Sequence, residues 1–220
     1  MLYIITPVSR PENLEGISNS FNDYLEFSKT PNANIRWIII IDRKLLKVND
    51  CQSAEVFMDL SNIIFNKIRN KFRCTILYSE ISNAFVGHAH RNYFLDKIYP
   101  GLGISENDYA YFLDDDTILH PEFLENVLTV LENDNPEIVV FGQNTKDNLV
   151  RLLPSKEKIR VCHIDMGQYI FKINSLPNNI RFKEDDYCAD GIFIEELYKH
   201  HGFEKTTVIN KQLSFYNYLR

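Results

Sequence analysis

Three adjacent aspartates, Asp114-Asp115-Asp116, follow the apolar aromatic run Tyr109-Ala110-Tyr111-Phe112-Leu113. The run reads as a buried strand, which puts the carboxylates at its carboxyl end. Like charges this close repel one another, so the position needs a counter-charge. A hard divalent cation with oxygen ligands supplies one and can be shared with a phosphate group. The plain alternative is a solvated acidic turn. Position favours chemistry, because open α/β sheets bind ligands outside the carboxyl ends of their strands.

Aspartates after a hydrophobic strand also mark phosphatases of the haloacid dehalogenase type. That pattern needs Thr or Val two positions past its second Asp, where this chain has Ile118, and it belongs on a first strand. Here the triplet is mid-chain. Composition sets further bounds. With 220 residues, 45% hydrophobic and 25% charged, the chain suits one globular domain with a sizeable core. A net charge of −6 disfavours a nucleic-acid partner. No run is long enough for a transmembrane helix, and Met1 to Thr6 lacks the basic and apolar regions of a signal peptide. Cys51, Cys74, Cys162 and Cys188 show no zinc spacing and are expected as buried thiols of a cytosolic protein, with a disulfide as the alternative.

The elements that must position the triplet alternate. Strands are expected at 2–6, 35–41, 73–78, 109–113 and 137–142. Helices are expected at 12–28, 53–70, 88–99 and 121–133, from apolar residues at helical spacing. That alternation implies a parallel sheet covered on both faces. After Gly142 the pattern loosens into a loop or short hairpin over 144–158, then strands over 159–173 broken at Asp165-Met166-Gly167. A helix over 190–201, a strand and a short helix end the chain. A single domain is expected, with a regularly alternating part over 1–142 and a looser part over 143–220.

Four segments in order carry a resemblance: Thr6-Pro7-Val8-Ser9-Arg10 after the first strand, Asp42 ending the second, Gly87-His88-Ala89-His90-Arg91-Asn92, and the triplet. This order resembles the GT-A glycosyltransferases, especially bacterial family 2, and the opening segments look like the animal glucuronyltransferases of that fold. The resemblance implies a Rossmann-like three-layer α/β fold and a nucleotide-sugar donor, UDP-linked by expectation. Thr6, Pro7 and Arg10 can line the nucleoside, and Asp42 can accept hydrogen bonds from base or ribose. Arg91 can pair with phosphate. Gly87 permits close backbone approach. By resemblance, Asn92 sits beside the nucleotide, Asp114 and Asp115 face the nucleoside with Asp115 on the ribose, and Asp116 holds Mn²⁺ or Mg²⁺.

An inverting transfer needs a carboxylate to take the acceptor hydroxyl's proton. Glu184, Asp185, Asp186 and Asp190 are the candidates that the family pattern offers. Asp190 is favoured: it opens a helix whose N-terminus would hold it ionised, and small residues flank it. Asp186 is second. An ordinary N-cap is the competing reading for Asp190. Asp165, Gly167 and Gln168 are expected at the acceptor edge, and the resemblance offers His201 as a late metal ligand. The expected activity is metal-dependent, inverting transfer of a sugar to a glycan, lipid-linked or small-molecule acceptor, as in surface polysaccharide synthesis. The protein would act in the cytoplasm or at the inner face of a membrane. A nucleotidyltransferase and an inactive nucleotide-sugar-binding protein are the other readings. The first usually has a Gly-rich phosphate loop after its first strand, and Thr6 to Arg10 contains no glycine.

Overall fold

A computed structural model describes residues 1–27, 34–42, 73–81, 87–103 and 105–220. The helix expected at 53–70 and Cys51 lie outside the described residues. The strands are β1 (Leu2–Val8), β2 (Ile35–Asp42), β3 (Arg73–Ser79), β4 (Tyr109–Phe112), β5 (Ile118–Leu119), β6 (Ile138–Thr145), β7 (Val150–Leu152), β8 (Tyr169–Lys172) and β9 (Thr206–Tyr216). They form a sheet in the order β3-β2-β1-β4-β8-β6-β9-β5, with β7 on β6.

The half built from β3, β2, β1 and β4 is parallel throughout. Its strands bury both faces. Leu2 and Ile4 of β1 enter one apolar cluster with Trp37 and Ile39, while Tyr3 and Ile5 enter the other with Ile38 and Ile40. That alternation is the period of two of a strand covered on both sides. Helix α1 (Leu14–Phe27) and α3 (Phe123–Asn133) lie on the first face, through Leu14, Ile17, Leu124 and Val127. Helix α4 (Ala189–His201) covers the second through Phe193, Ile194 and Leu197.

Past β4 the pairing becomes mixed. β8 runs antiparallel to β4 and β6, and β6 runs parallel to β9. The segment 143–220 therefore continues the same sheet. The loop or hairpin expected at 144–158 is a hairpin: β7 returns antiparallel on β6, through a turn with Asn148 at φ 59°. Three expectations change. The short helix expected at the end of the chain is a turn over 217–219. The helix at 88–99 is α2 (His88–Tyr93), then a π turn over Phe94–Ile98 and a 3₁₀ turn over Tyr99–Leu102 that contains Pro100. Proline lacks the N–H that a continuing helix needs. Residues 159–165 form no strand: the N–H of His163 turns back to the Arg160 carbonyl at 3.1 Å, and Asp165 and Gln168 then make a capping box around a 3₁₀ turn at Met166–Gln168.

Candidate active site

A cleft of about 920 Å³ opens at the carboxyl ends of the parallel strands. Ser9 and Arg10 follow β1, Asp42 ends β2, and the triplet follows β4; all line the cleft. Pairing with β1 ends at Leu113, whose N–H donates to the Ile5 carbonyl at 2.9 Å. The next residue is Asp114, so the chain leaves the sheet at the first carboxylate.

The three carboxylates point into different surroundings. Asp115 is buried and saturated. One oxygen accepts from the N–H of Ser9 (2.6 Å), the Ser9 hydroxyl (2.8 Å) and the N–H of Arg10 (2.7 Å). The other accepts from Nε of Arg10 (3.0 Å) and from its Nη2. Asp115 thus fixes the loop after β1. Asp116 is also buried, and it pairs with Nη2 of Arg10 (2.9 Å) and Nε of Arg220 (2.7 Å). Asp114 pairs with Nη2 of Arg91 and keeps 34% of its side chain exposed at the cleft floor. The counter-charge assigned from sequence to a cation is therefore met in large part by three arginines.

Asp114 remains short of positive charge. Burial, then Asp165, Asp116 and Asp190, raise its carboxyl to about 6 against the pull of Arg91. Arg91 is itself buried on α2 and donates Nη1 to Nδ1 of His88 at 2.7 Å. His88 must then be neutral at that nitrogen. Burial and the Arg91 charge push it down to about 4. Gly87 opens α2 at φ 80°, and an added Cβ would come 3.3 Å from Cβ of Pro7. The close approach at Gly87 is to Pro7, and it brings α2 against the end of β1.

On the other wall, two consecutive amides hold two carboxylates. The N–H of Met166 donates to Asp190 at 3.2 Å, and that of Gly167 to Asp165 at 3.0 Å. Asp190 also accepts from the N–H of Gly191 at 2.8 Å. It lies inside the first turn of α4, and Cys188 is the N-cap. The N-cap reading therefore fails. The expectation that the helix end simply holds it ionised also changes: burial and Asp165 raise its pKa, and the two amides only partly offset them. Asp186 is turned to the N–H of Cys188 at 2.8 Å and is not part of the cleft wall.

Several residues singled out from sequence brace the cleft without lining it. Thr6 accepts from Nε1 of Trp37 at 2.9 Å and is fully buried. Asn92 holds the backbone of Phe182 and donates to Glu184 at 3.0 Å. Gln168 donates to the carbonyl of Phe141 at 3.1 Å and closes the capping box on Asp165. Gly167 is needed for space: a Cβ there would fall 2.4 Å from the amide nitrogen of Gln143. His201 is carried away along α4, whose 1.5 Å rise per residue puts it roughly 16 Å from Asp190. Its ring sits with Glu137, Ser175 and Lys205 instead.

Sequence reasoning missed two cations. Arg151 of β7 pairs with Asp165 at 3.1 Å and lies 3.6 Å over the ring of Tyr216. The turn signal Asp147-Asn148 before an apolar run could have revealed its strand. Arg220 gave no signal. Among the described residues, no group of three His, Cys, Asp or Glu side chains already converges as a metal site.

Residues 98–190, less than half of the chain, match the family model described as glycosyl transferase family 2. No curated protein sequence matches. Among solved structures, Staphylococcus aureus TarS residues 1–349 aligns with a TM-score of 0.66 at 16% identity, over 97% of this chain and 59% of that one. The same protein in complex with UDP-GlcNAc aligns at 0.65 and 15%, over 97% and 57%. The mannosyltransferase PcManGT from Pyrobaculum calidifontis, in complex with GDP-Man and Mn²⁺, aligns at 0.61 and 11%, over 97% and 56%. This chain thus spans less than two thirds of the length of these relatives. The chain therefore has the GT-A fold of these two proteins, and residues 98–190 within it are similar to glycosyl transferase family 2.

Proposed function

We propose that the chain transfers a sugar from a nucleoside-diphosphate donor, UDP-linked, to an acceptor hydroxyl with inversion, in the building of a surface polysaccharide or lipid-linked glycan. One observation carries this reading. Asp114 faces the cleft at the end of a parallel strand, between Arg91 and a wall carrying Asp165 and Asp190, with its carboxyl raised to about 6. A site with surplus carboxylate and adjoining guanidinium groups suits a ligand made of a diphosphate and a divalent cation.

In this reading Pro7, Arg10 and Asp42 line the nucleoside, and Arg91 takes phosphate oxygens. Asp114 would hold the cation, with Asp116 beside it once Arg220, 58% exposed, gives up its ion pair. This all-oxygen donor set fits Mn²⁺ or Mg²⁺, whose charge would offset that of the departing diphosphate. Asp190 takes the acceptor proton. Its raised pKa brings it toward the working range of a general base, and its two amide bonds fix its direction. Asp165, held by Arg151, faces the sugar. Release of UDP from a panel of nucleotide sugars with Mn²⁺, with and without candidate acceptors, tests the reading. Turnover of one UDP-sugar is expected, and inactivity toward every nucleotide sugar would refute it.

A further inference from the structure

Cys162 and Cys188 stand with their sulfurs 3.7 Å apart on the cleft wall that carries Asp190. They come from segments 26 residues apart in the chain. The sequence led to an expectation of buried thiols. Cys74 is half-buried, its thiol pushed up to about 12 by burial, whereas Cys162 is exposed and Cys188 half-exposed on the cleft wall. We propose that this pair forms a reversible disulfide that gates the acceptor side of the cleft.

Two independent features build the pair. Gly191 lets the backbone at 161–162 press on the first turn of α4: a Cβ there would lie 3.1 Å from Cα of Val161 and 3.3 Å from the Cys162 nitrogen. The N–H of Val161 is tied to Glu195, one turn further along α4, at 2.8 Å. Cys162 itself adopts φ 65°, a left-handed conformation that β-carbon residues seldom take, and its thiol faces its partner. Bond formation would shorten the 3.7 Å between the sulfurs to about 2.05 Å.

The oxidant is a small-molecule disulfide such as oxidised glutathione. The Cys162 thiolate attacks one of its sulfurs and releases one thiolate. The Cys188 thiolate then attacks the Cys162 sulfur and releases the second. The two cysteine protons end on the two released thiols, so two electrons pass to the small disulfide. The new bond would pin the 159–164 segment to α4 beside Asp190, leaving Pro7, Asp42 and Arg91 untouched. The gating consequence rests on the proposed transferase reading; the disulfide itself does not.

The test uses the full chain with Cys51→Ser and Cys74→Ser, equilibrated in glutathione buffers of graded potential. Intact mass should fall by two hydrogens, with a Cys162–Cys188 cross-linked peptide and a melting temperature higher by roughly 5–10 °C. Adding Cys188→Ser should leave a glutathione adduct on Cys162. A persistent adduct on the unmutated pair, or two free thiols at the most oxidising potential, would overturn the proposal. UDP affinity and transfer are then measured on both redox forms. Unchanged UDP affinity with reduced transfer is the expected result, and equal transfer in both forms would overturn the gating. Failure of UDP to bind either form would count against the donor site and not against the disulfide.

Discussion

Asp165 and Asp190 hang from two successive amides, Gly167 and Met166, so that carboxylates from distant segments share one wall of the cleft. Each raises the proton affinity of its surroundings, and Asp165 is the second-largest influence on Asp190 after burial. An acid pair with different partners, Arg151 for one and backbone amides for the other, can divide into a charged holder and a base.

Asp190→Asn should therefore abolish transfer and spare the donor. Met166 and Gly191 donate to different oxygens of Asp190, so the single amide oxygen can keep one of the two bonds and the fold should hold with a modest loss of stability. Loss of a general base costs about 10²–10⁴ in rate. A transfer assay and UDP calorimetry on the same sample separate the two effects. Loss of UDP affinity would move Asp190 to the donor side.

Protonation of Asp114 should set the acid limit of donor binding. Its carboxyl is raised to about 6, so it is charged above that pH and neutral below. UDP affinity in Mn²⁺ should fall roughly tenfold per pH unit below about 6. Asp114→Asn should bind weakly and without that slope. Its effect on stability has the opposite sign: a carboxyl raised on folding favours the fold at low pH, and that contribution is lost as pH rises through about 6.

His88 supplies an acid-side loss of stability. Folding lowers it to about 4, so the unfolded chain takes the proton first. Stability present above about 6.5 is lost as pH falls toward about 4, by about 3 kcal/mol at most. Replacing His88 with Gln keeps an acceptor for Arg91 and should flatten this part of the pH–melting curve. Melting temperatures of both proteins across that window decide the matter.

Asp115→Asn should destabilise, whereas Asp116→Asn should lower turnover more than stability. Asp115 accepts from Ser9 and Arg10 through both oxygens, and losing its charge weakens all of those bonds, by about 2 kcal/mol. Asp116 pairs with two arginines whose side chains are 31% and 58% exposed, so water can take over part of their solvation. Urea titration gives the stability order, and a reversed order would exchange the two roles.

The parallel half of the fold was legible because its strands are continuous apolar runs with period-two burial, and the triplet marked where β4 leaves the sheet. Gly87 was legible too, since a turn there needs a left-handed residue. Side-chain direction was not. Thr6, Asn92 and Gln168 have the right chemistry for a ligand, but Trp37, Phe182 and Phe141 take their hydrogen bonds from elsewhere in the chain. Arg220 reaches Asp116 because the turn after β9 brings the N–H of Leu219 to the Asp116 carbonyl at 3.1 Å, a contact between distant parts of the sequence. Local pattern carries the strands; these long-range bonds decide which polar residues remain free for a substrate.

The most direct test of the donor site is calorimetry of UDP with the full chain, in Mn²⁺ and again in EDTA. Saturable binding in Mn²⁺ that is lost in EDTA is the expected result, because a diphosphate facing Asp114 needs a shared cation. Equal binding in EDTA would contradict the cation, and absence of binding in both would contradict the nucleotide cleft itself.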